Sequence, residues 1–307
     1  MQSKPGLYTA SKVRYKVAMT QSSPDVKATL LVTCPDRAGI VARVTNFIFE
    51  HQGNILTLSE HGEGDGGGFF MRLVWSLEGF ELSREETTTK LEALSQELGM
   101  RWKLTYSDVR PKIAVFVSKE AHCLYDLMHA QELGELAGDV SLVISNHENL
   151  KHVADHFNTP FAHVAISKAT KPEAEAAQRK LLEEHGIQLV VLARYMQILS
   201  KDFADAWAGK AINIHHSFLP SFMGANPYRQ AKERGVKIIG ATAHYVTPDL
   251  DEGPIVEQNV TRVTHRDSVA DMRRKGRDLE RQVLTHAVRL HLQNRIIISG
   301  NRTIVFH

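Results

Sequence analysis

The stretch Lys112-Ile113-Ala114-Val115-Phe116-Val117, followed after a helical segment near Leu124 to Leu136 by Val140-Ser141-Leu142-Val143-Ile144-Ser145, decides the fold. Each run is short, apolar and bounded by polar residues, which is the pattern of a buried strand. The alternation then continues. A helix near Glu148 to Phe157, a strand near Ala162 to Ile166, a helix from Pro172 to His185, and strands at Gln188 to Ala193 and Ala211 to His215 follow. Strands separated by helices predict a mainly parallel sheet covered by helices, an α/β domain of Rossmann-like build. A helix from about Ser268 to Asn294 closes the domain, with Val283, Leu284, Val288 and Leu292 on one face. Ile296 to Ser299 and Thr303 to Phe306, joined through Gly300-Asn301, read as a terminal hairpin.

Toward the N-terminus the pattern is different. Ala28 to Thr33 reads as a strand, and Cys34-Pro35-Asp36-Arg37-Ala38-Gly39 as a loop. Ile40, Val41, Val44, Phe47 and Ile48 follow at helical spacing, ended by Gly53. Asn54 to Leu58 is a strand, Gly62 to Gly68 a connector and Phe69 to Trp75 a strand. A capping-box pattern from Ser83 to Glu86 opens a helix to Leu98, and Arg101 to Tyr106 is the last strand. The order βαββαβ predicts a ferredoxin-like sandwich of two helices on an antiparallel sheet. The glycines between Gly64 and Gly68 are no phosphate loop, since Lys followed by Ser or Thr is missing and the run joins two strands. Residues 1–24 are expected to be a flexible tail, residues 25–107 the first domain, 108–111 a linker and 112–307 the second domain.

The 307 residues suit two domains. Net charge is +2, from 37 basic and 35 acidic side chains, so no field selects nucleic acid or an anionic membrane. A small-molecule partner is expected. Cys34 and Cys123 lie far apart without Cys-x-x-Cys spacing, which argues against a disulfide framework and for a reducing compartment. No apolar run approaches the roughly 18 residues of a membrane span, so a soluble, cytoplasmic protein is expected. The first 24 residues lack acidic groups and carry Lys4, Lys12, Arg14 and Lys16, a composition that also occurs in transit peptides.

The chemistry-bearing residues gather near the end of the strand Ala211 to His215. Because strands alternate faces, Asn213 and His215 share one side while Ile212 and Ile214 pack on the other. His244 follows, and Asp251 sits in the turn Asp251-Glu252-Gly253-Pro254, where Gly253 lets the backbone pass close to another group. An amide, an imidazole and a carboxylate are the parts that water attack on a carbonyl needs: donors for the oxyanion and a base or orienting group. Two rivals remain at this level. His215, His216, His244 and Asp251 are all metal-ligand types, although their spacing matches no compact zinc motif and none is expected to bind a metal. Ser217 lacks a Gly-x-Ser-x-Gly elbow and reads as a turn cap rather than a nucleophile.

The segment 28–106 resembles an ACT domain, on Cys34-Pro35-Asp36-Arg37-Ala38-Gly39-Ile40 after the first strand. The resemblance implies an amino-acid effector, glycine or methionine, near Asp36, Gly39 and Ile40, and pairing into a homo-oligomer. The residues themselves equally allow Asp36 to cap the helix while Gly39 eases the turn. Ile212 to Phe222, Gly240-Ala241-Thr242-Ala243-His244-Tyr245-Val246 and Leu250-Asp251-Glu252-Gly253-Pro254-Ile255 are similar to the catalytic domain of the 10-formyltetrahydrofolate-using formyltransferases. That resemblance implies a formyltransferase-type domain and a folate pocket lined by Met196, Gln197, Ile198, Leu199, Val246, Thr247 and Leu250. It also implies catalytic Asn213, His215 and Asp251, a supporting His244, and no cofactor, the folate being the substrate.

Within that family the chain looks like a hydrolytic member. The glycinamide ribonucleotide enzymes carry a Gly-x-Gly-Ser-Asn loop where this chain has Val117-Ser118-Lys119-Glu120-Ala121-His122. A tRNA-formylating member needs an RNA-binding domain, and only a short segment follows Asn294. Hydrolysis of 10-formyltetrahydrofolate to formate and tetrahydrofolate, in one-carbon and purine metabolism, is the activity implied. Formyl transfer to an amine and a non-catalytic folate or amino-acid sensor are the alternatives.

Overall fold

The computed structural model describes residues 26–64, 67–220 and 227–307. The expected N-terminal tail lies outside the described residues. The first domain runs β1 (Lys27–Pro35), α1 (Ile40–Glu50), β2 (Asn54–Gly62), β3 (Gly68–Ser76), α2 (Arg84–Leu98) and β4 (Arg101–Tyr106). Its sheet has the order β2-β3-β1-β4 and all its described pairings are antiparallel. The βαββαβ reading therefore holds. α1 and α2 bury Val44, Ile48 and Leu91 against Leu30, Leu73 and Trp75 on one sheet face. The capping box opening α2 is present: Ser83 Oγ accepts from the Glu86 amide at 3.2 Å, and the Glu86 carboxylate accepts from the Ser83 amide at 2.9 Å. Asp36 does not cap α1. Gly39 takes that position at φ 93°, with no side-chain cap, and Ile40 is turned into the core.

The second domain runs β5 (Lys112–Val117), α3 (His122–Glu132), β6 (Asp139–Ser145), α4 (Lys151–His156), β7 (Phe161–His163), α5 (Lys171–Glu184), β8 (Leu189–Leu192), α6 (Lys201–Ala206) and β9 (Ala211–His215). It continues with α7 (Pro227–Arg234), β10 (Ile238–Tyr245), β11 (Ile255–Arg262), α8 (Val269–Leu292), β12 (Ile296–Ser299) and β13 (Arg302–Val305). The main sheet has the order β11-β10-β9-β8-β5-β6-β7. Neighbours from β9 to β7 pair in parallel, whereas β10 and β11 pair antiparallel. The mainly parallel sheet is as expected, with an antiparallel edge that carries His244. One sheet face packs on α3, α4 and α8, and the other on α5 and α6. No described helix is long and apolar enough to cross a membrane.

The helix expected at Leu124 to Leu136 begins at His122 and ends by Glu132, because Gly134 takes φ 72° and stops it. The strand expected near Ala162 to Ile166 is only three residues, Phe161–His163. The hairpin's second strand starts at Arg302, one residue early, so that Gly300 and Asn301 form the two-residue turn. That hairpin joins the domains: Leu31 and Phe70 on the uncovered ACT-like sheet face pack against Ile297 and Phe306. Phe70 is 1% exposed. Phe70→Ala is expected to destabilise the chain by about 3–5 kcal/mol, read as a lower denaturant midpoint. A change below about 1 kcal/mol would show that this cluster does not hold the domains together.

Candidate active site

Strand β9 ends the parallel part of the sheet, and its alternation sorts its side chains. Ile212 and Ile214 are buried in the core, while Asn213 and His215 face the other way. β10 lies antiparallel beside it, with His244 opposite Asn213 and Thr242 opposite His215. The turn after β10 brings Asp251 back over both histidines. His215 Nδ1 lies 3.2 Å from Asp251 Oδ2, and His244 Nε2 lies 3.6 Å from Oδ1. His244 Nδ1 donates to the Tyr245 carbonyl at 2.9 Å. Its Nε2 is then shared with the Asn213 amide nitrogen at 3.2 Å. As a lone pair it accepts from Asn213, and as an N–H it pairs with the carboxylate. The four expected residues converge on one point.

Two backbone features make the convergence possible. Asp251 sits at φ 59°, a left-handed conformation that Asp tolerates better than most residues. Gly253 lies against β10: a Cβ there would be 1.7 Å from the Tyr245 carbonyl oxygen and 3.2 Å from His244 Nδ1. The close approach expected of Gly253 is thus to the carbonyl that fixes His244. Burial alone would raise the Asp251 carboxyl. Hydrogen bonds from His215 and His244, and their charge when protonated, outweigh it and hold the carboxyl well below the usual carboxylate range. His215 Nε2 is buried without a protein partner, a polar atom available to a bound group.

On one side of this point a groove is lined by Leu192, Gln197, Ile198, Leu199, Asn213, His244, Val246, Thr247, Leu250 and Asp251. Six of the seven expected folate contacts are there. The space within it is only about 60 Å³, and Ile198 and Leu250 on its lining are each 58% exposed. Met196 is elsewhere, on the wall of a second cavity. The reason is local: Arg194 and Met196 both take positive φ, 64° and 58°, and the chain reverses between them. Buried polar groups hold this irregular segment, with Ser118 Oγ donating to the Tyr195 carbonyl and Gln178 to the Tyr195 hydroxyl at 2.6 Å. Glu175 accepts from the Ser200 amide at 2.8 Å.

The second cavity, of about 210 Å³, lies on the far side of the β9 end and is lined by His122, Arg194, Met196, His216, Tyr228 and Glu280 among others. Glu280 is 1% exposed and fully engaged. Tyr228 donates to its Oε1 at 2.9 Å, His122 bonds Oε2 at 2.8 Å, and Arg194 Nε lies 3.3 Å from Oε2. Burial would raise this carboxyl, but the His122 hydrogen bond and the Arg194 charge bring it below its ordinary value. His216 is pushed down to about 4, first by burial and then by Arg194, so it is neutral at pH 7. Glu280 was not singled out from the sequence, although a signal exists. It falls three and four residues before Val283 and Leu284, on the apolar stripe of α8 where a lone carboxylate needs partners. His122, Cys123 and Glu280 have donor atoms within 4.8 Å of one another. Burial and then Glu280 push the Cys123 thiol well up, which opposes the thiolate a metal needs.

The loop after β9 is also pinned. Thr242 Oγ1, 0% exposed, donates to the Ser217 carbonyl at 2.9 Å and accepts from the Leu219 amide at 3.1 Å. Gln258 Nε2 reaches the Leu219 carbonyl at 3.1 Å, across a cis Leu219–Pro220 bond.

Comparison with known proteins agrees with both halves of this description. Residues 28–96 match the ACT domain family model and residues 111–288 the formyl transferase model. A formyltetrahydrofolate deformylase from a Synechocystis species is 52% identical over 92% of this chain and 99% of its own length. One from Bacillus subtilis is 45% identical over 92% of this chain and 94% of its own. The crystal structure of a formyltetrahydrofolate deformylase from Pseudomonas syringae superposes with a TM-score of 0.91 at 42% identity, covering 94% of this chain and 96% of that one. With two domains matched in order and identity of this level along nearly the whole length, the chain belongs to the formyltetrahydrofolate deformylase family.

Proposed function

We propose that the chain hydrolyses 10-formyltetrahydrofolate to formate and tetrahydrofolate, with Asp251, His215 and Asn213 as the catalytic residues and His244 positioning them. The observation that carries the reading is the Asp251 carboxylate held between two histidines at the end of β9, facing an amide and the unpartnered His215 Nε2. The folate would lie in the groove beside Gln197 to Leu199 and Val246 to Leu250, with its N10-formyl group toward Asn213. No step requires a cofactor. Asn213 N–H and His215 Nε2–H, when the ring is protonated, donate to the formyl oxygen. Water held by Asp251 attacks the formyl carbon, and the carboxylate accepts its proton as the C–O bond forms. A carboxyl held low in the resting site is a weak base. The oxyanion developing beside it raises its proton affinity as the bond forms. The C–N10 bond then breaks, and the proton on Asp251 passes to N10. Formic acid leaves and ionises.

The second cavity bears on the acceptor. Tyr228, His122 and Arg194 turn toward Glu280 there, and its volume of about 210 Å³ admits several waters, at about 30 Å³ each. The ACT domain supports an amino-acid effector, glycine or methionine, and pairing into a homo-oligomer. The α1 N-terminus lacks a capping side chain and Gly39 borders open space, which suits a carboxylate there. Ile40 contributes to that site only through its backbone.

Purified protein incubated with 10-formyltetrahydrofolate and no added acceptor is expected to yield formate and tetrahydrofolate one to one. Turnover only on adding an amine would establish transfer instead. Asp251→Asn, a residue that tolerates the left-handed φ, is expected to lower kcat by about 10²–10⁴ with folate binding retained, and Asn213→Ala by about 10²–10³. Near-normal hydrolysis by Asp251→Asn would remove the carboxylate from the mechanism. Because the folded-state carboxyl is depressed, its contribution to stability is fully present above the ordinary Asp range near 4 and lost as pH falls below it. The stability gap between the native chain and Asp251→Asn should thus be flat from pH 7 to about pH 5 and close below about pH 4; a gap that widens on acidification would contradict this.

A further inference from the structure

A cleft of about 980 Å³ separates the ACT sheet face not covered by α1 and α2 from the edge of the catalytic domain where the chain enters β8 and β9. It lies away from the Asp251 site: Lys210 precedes β9 and His215 ends it, about 16 Å apart at about 3.3 Å per residue. Its charged lining is of one sign. Lys27, Arg72 and Lys103 come from the sheet, Lys210 and Arg295 from the catalytic domain, and among the described residues no Asp or Glu lines it. The chain as a whole is nearly balanced, at +2. Several cations elsewhere have carboxylate partners, as in Arg110–Asp139, Lys151–Asp155 and Lys275–Asp267. Five positive groups in one cleft are therefore a local concentration rather than the average surface.

Two of the five are engaged by backbone. Arg72 donates to the Asn294 carbonyl at 2.8 Å and the Gln293 carbonyl at 3.1 Å, at the C-terminal end of α8. Arg295 Nη1 donates to the Phe306 carbonyl at 3.0 Å, and its Nε is buried without a partner. These contacts satisfy donors without cancelling charge. Lys27, Lys103 and Lys210 have no carboxylate within ion-pair distance among the described residues. The resulting field is felt by the cleft's titratable groups. Burial, then Lys210, lowers Lys103; burial, then Arg295, lowers Arg72 to about 10; burial, then Lys103, lowers His291 to about 4. Like charges gathered in a partly enclosed space repel one another, and a multivalent anion relieves all the repulsions at once.

We infer that this interdomain cleft is a binding site for a small anion carrying two or more negative charges, bridging Lys103 of the ACT domain to Lys210 of the catalytic domain. The volume is at the upper end of the range for small-molecule sites. A phosphate-type and a polycarboxylate ligand share the required chemistry. The site differs from any amino-acid site at the α1 N-terminus, which lies by the loop at Gly39. It also has a route to the chemistry: His291 in the cleft bonds the Tyr245 hydroxyl at 2.8 Å, and the Tyr245 carbonyl holds His244.

The test uses the full chain at low ionic strength, melted with inorganic pyrophosphate, with citrate, or with sodium chloride at matched ionic strength. Pyrophosphate, citrate or both should raise the melting temperature saturably by roughly 3 °C or more over the chloride control. Whichever arm acts identifies phosphate or carboxylate chemistry. The Lys103→Gln, Lys210→Gln double variant removes both bridging charges and should lose the shift. In the native chain, the His291 ring pKa followed by NMR should rise from about 4 by roughly one pH unit when the active anion is added. No shift beyond the chloride control in either arm overturns the inference. So does an equal shift in the double variant, or an unmoved His291 pKa.

Discussion

The active site depends on a contact between two backbone segments. Gly253 lies so close to the Tyr245 carbonyl that a side-chain carbon would sit 1.7 Å from the oxygen. That approach folds the turn after β10 back onto its own strand and sets Asp251 above the end of β9. The same carbonyl accepts the Nδ1–H of His244, fixing which ring nitrogen faces Asn213 and Asp251. One peptide group thus determines the place of the carboxylate and the orientation of the imidazole. A glycine is the residue that permits both.

Around this contact the charges are arranged on two buried carboxylates. Asp251 is paired with two histidines, and it faces a groove open to solvent. Glu280 is paired with His122, Arg194 and Tyr228, and 1% of it is exposed. The difference is one of access. The carboxylate at the open groove can be reached by a bound molecule, whereas the enclosed one ties α3, α7 and the segment after β8 together. Losing a partner of Glu280 would leave a buried charge uncompensated, a cost of about 3–5 kcal/mol in comparable pairs.

The relation of the two domains rests on a similar contrast. Leu31 and Phe70 of the ACT sheet meet Ile297 and Phe306 of the terminal hairpin in a small buried apolar cluster. Beside it the same sheet face presents Lys27, Arg72 and Lys103 to Lys210 and Arg295. Apolar contact draws the domains together at one place while like charge holds them apart at the other. Such an interface responds to whatever neutralises the charge.

The sequence by itself determined what local period and spacing can encode. Alternation along Ala211 to His215 put Asn213 and His215 on one face, and Ser83 with Glu86 marked the start of α2. Buried apolar runs such as Lys112 to Val117 implied a mainly parallel sheet. Each depends on residues within a few positions of one another. Tertiary structure decided the rest. That β10 pairs antiparallel with β9 and brings His244 opposite Asn213, that Met196 turns away from the groove, and that Ile40 points into the core follow from long-range pairing and positive φ angles. Glu280 reaches Arg194 and His122 across 86 and 158 positions of chain, and Lys103 meets Lys210 only because two domains dock. Electrostatic partners are chosen by distance in space, and the one-dimensional pattern carries no record of that distance.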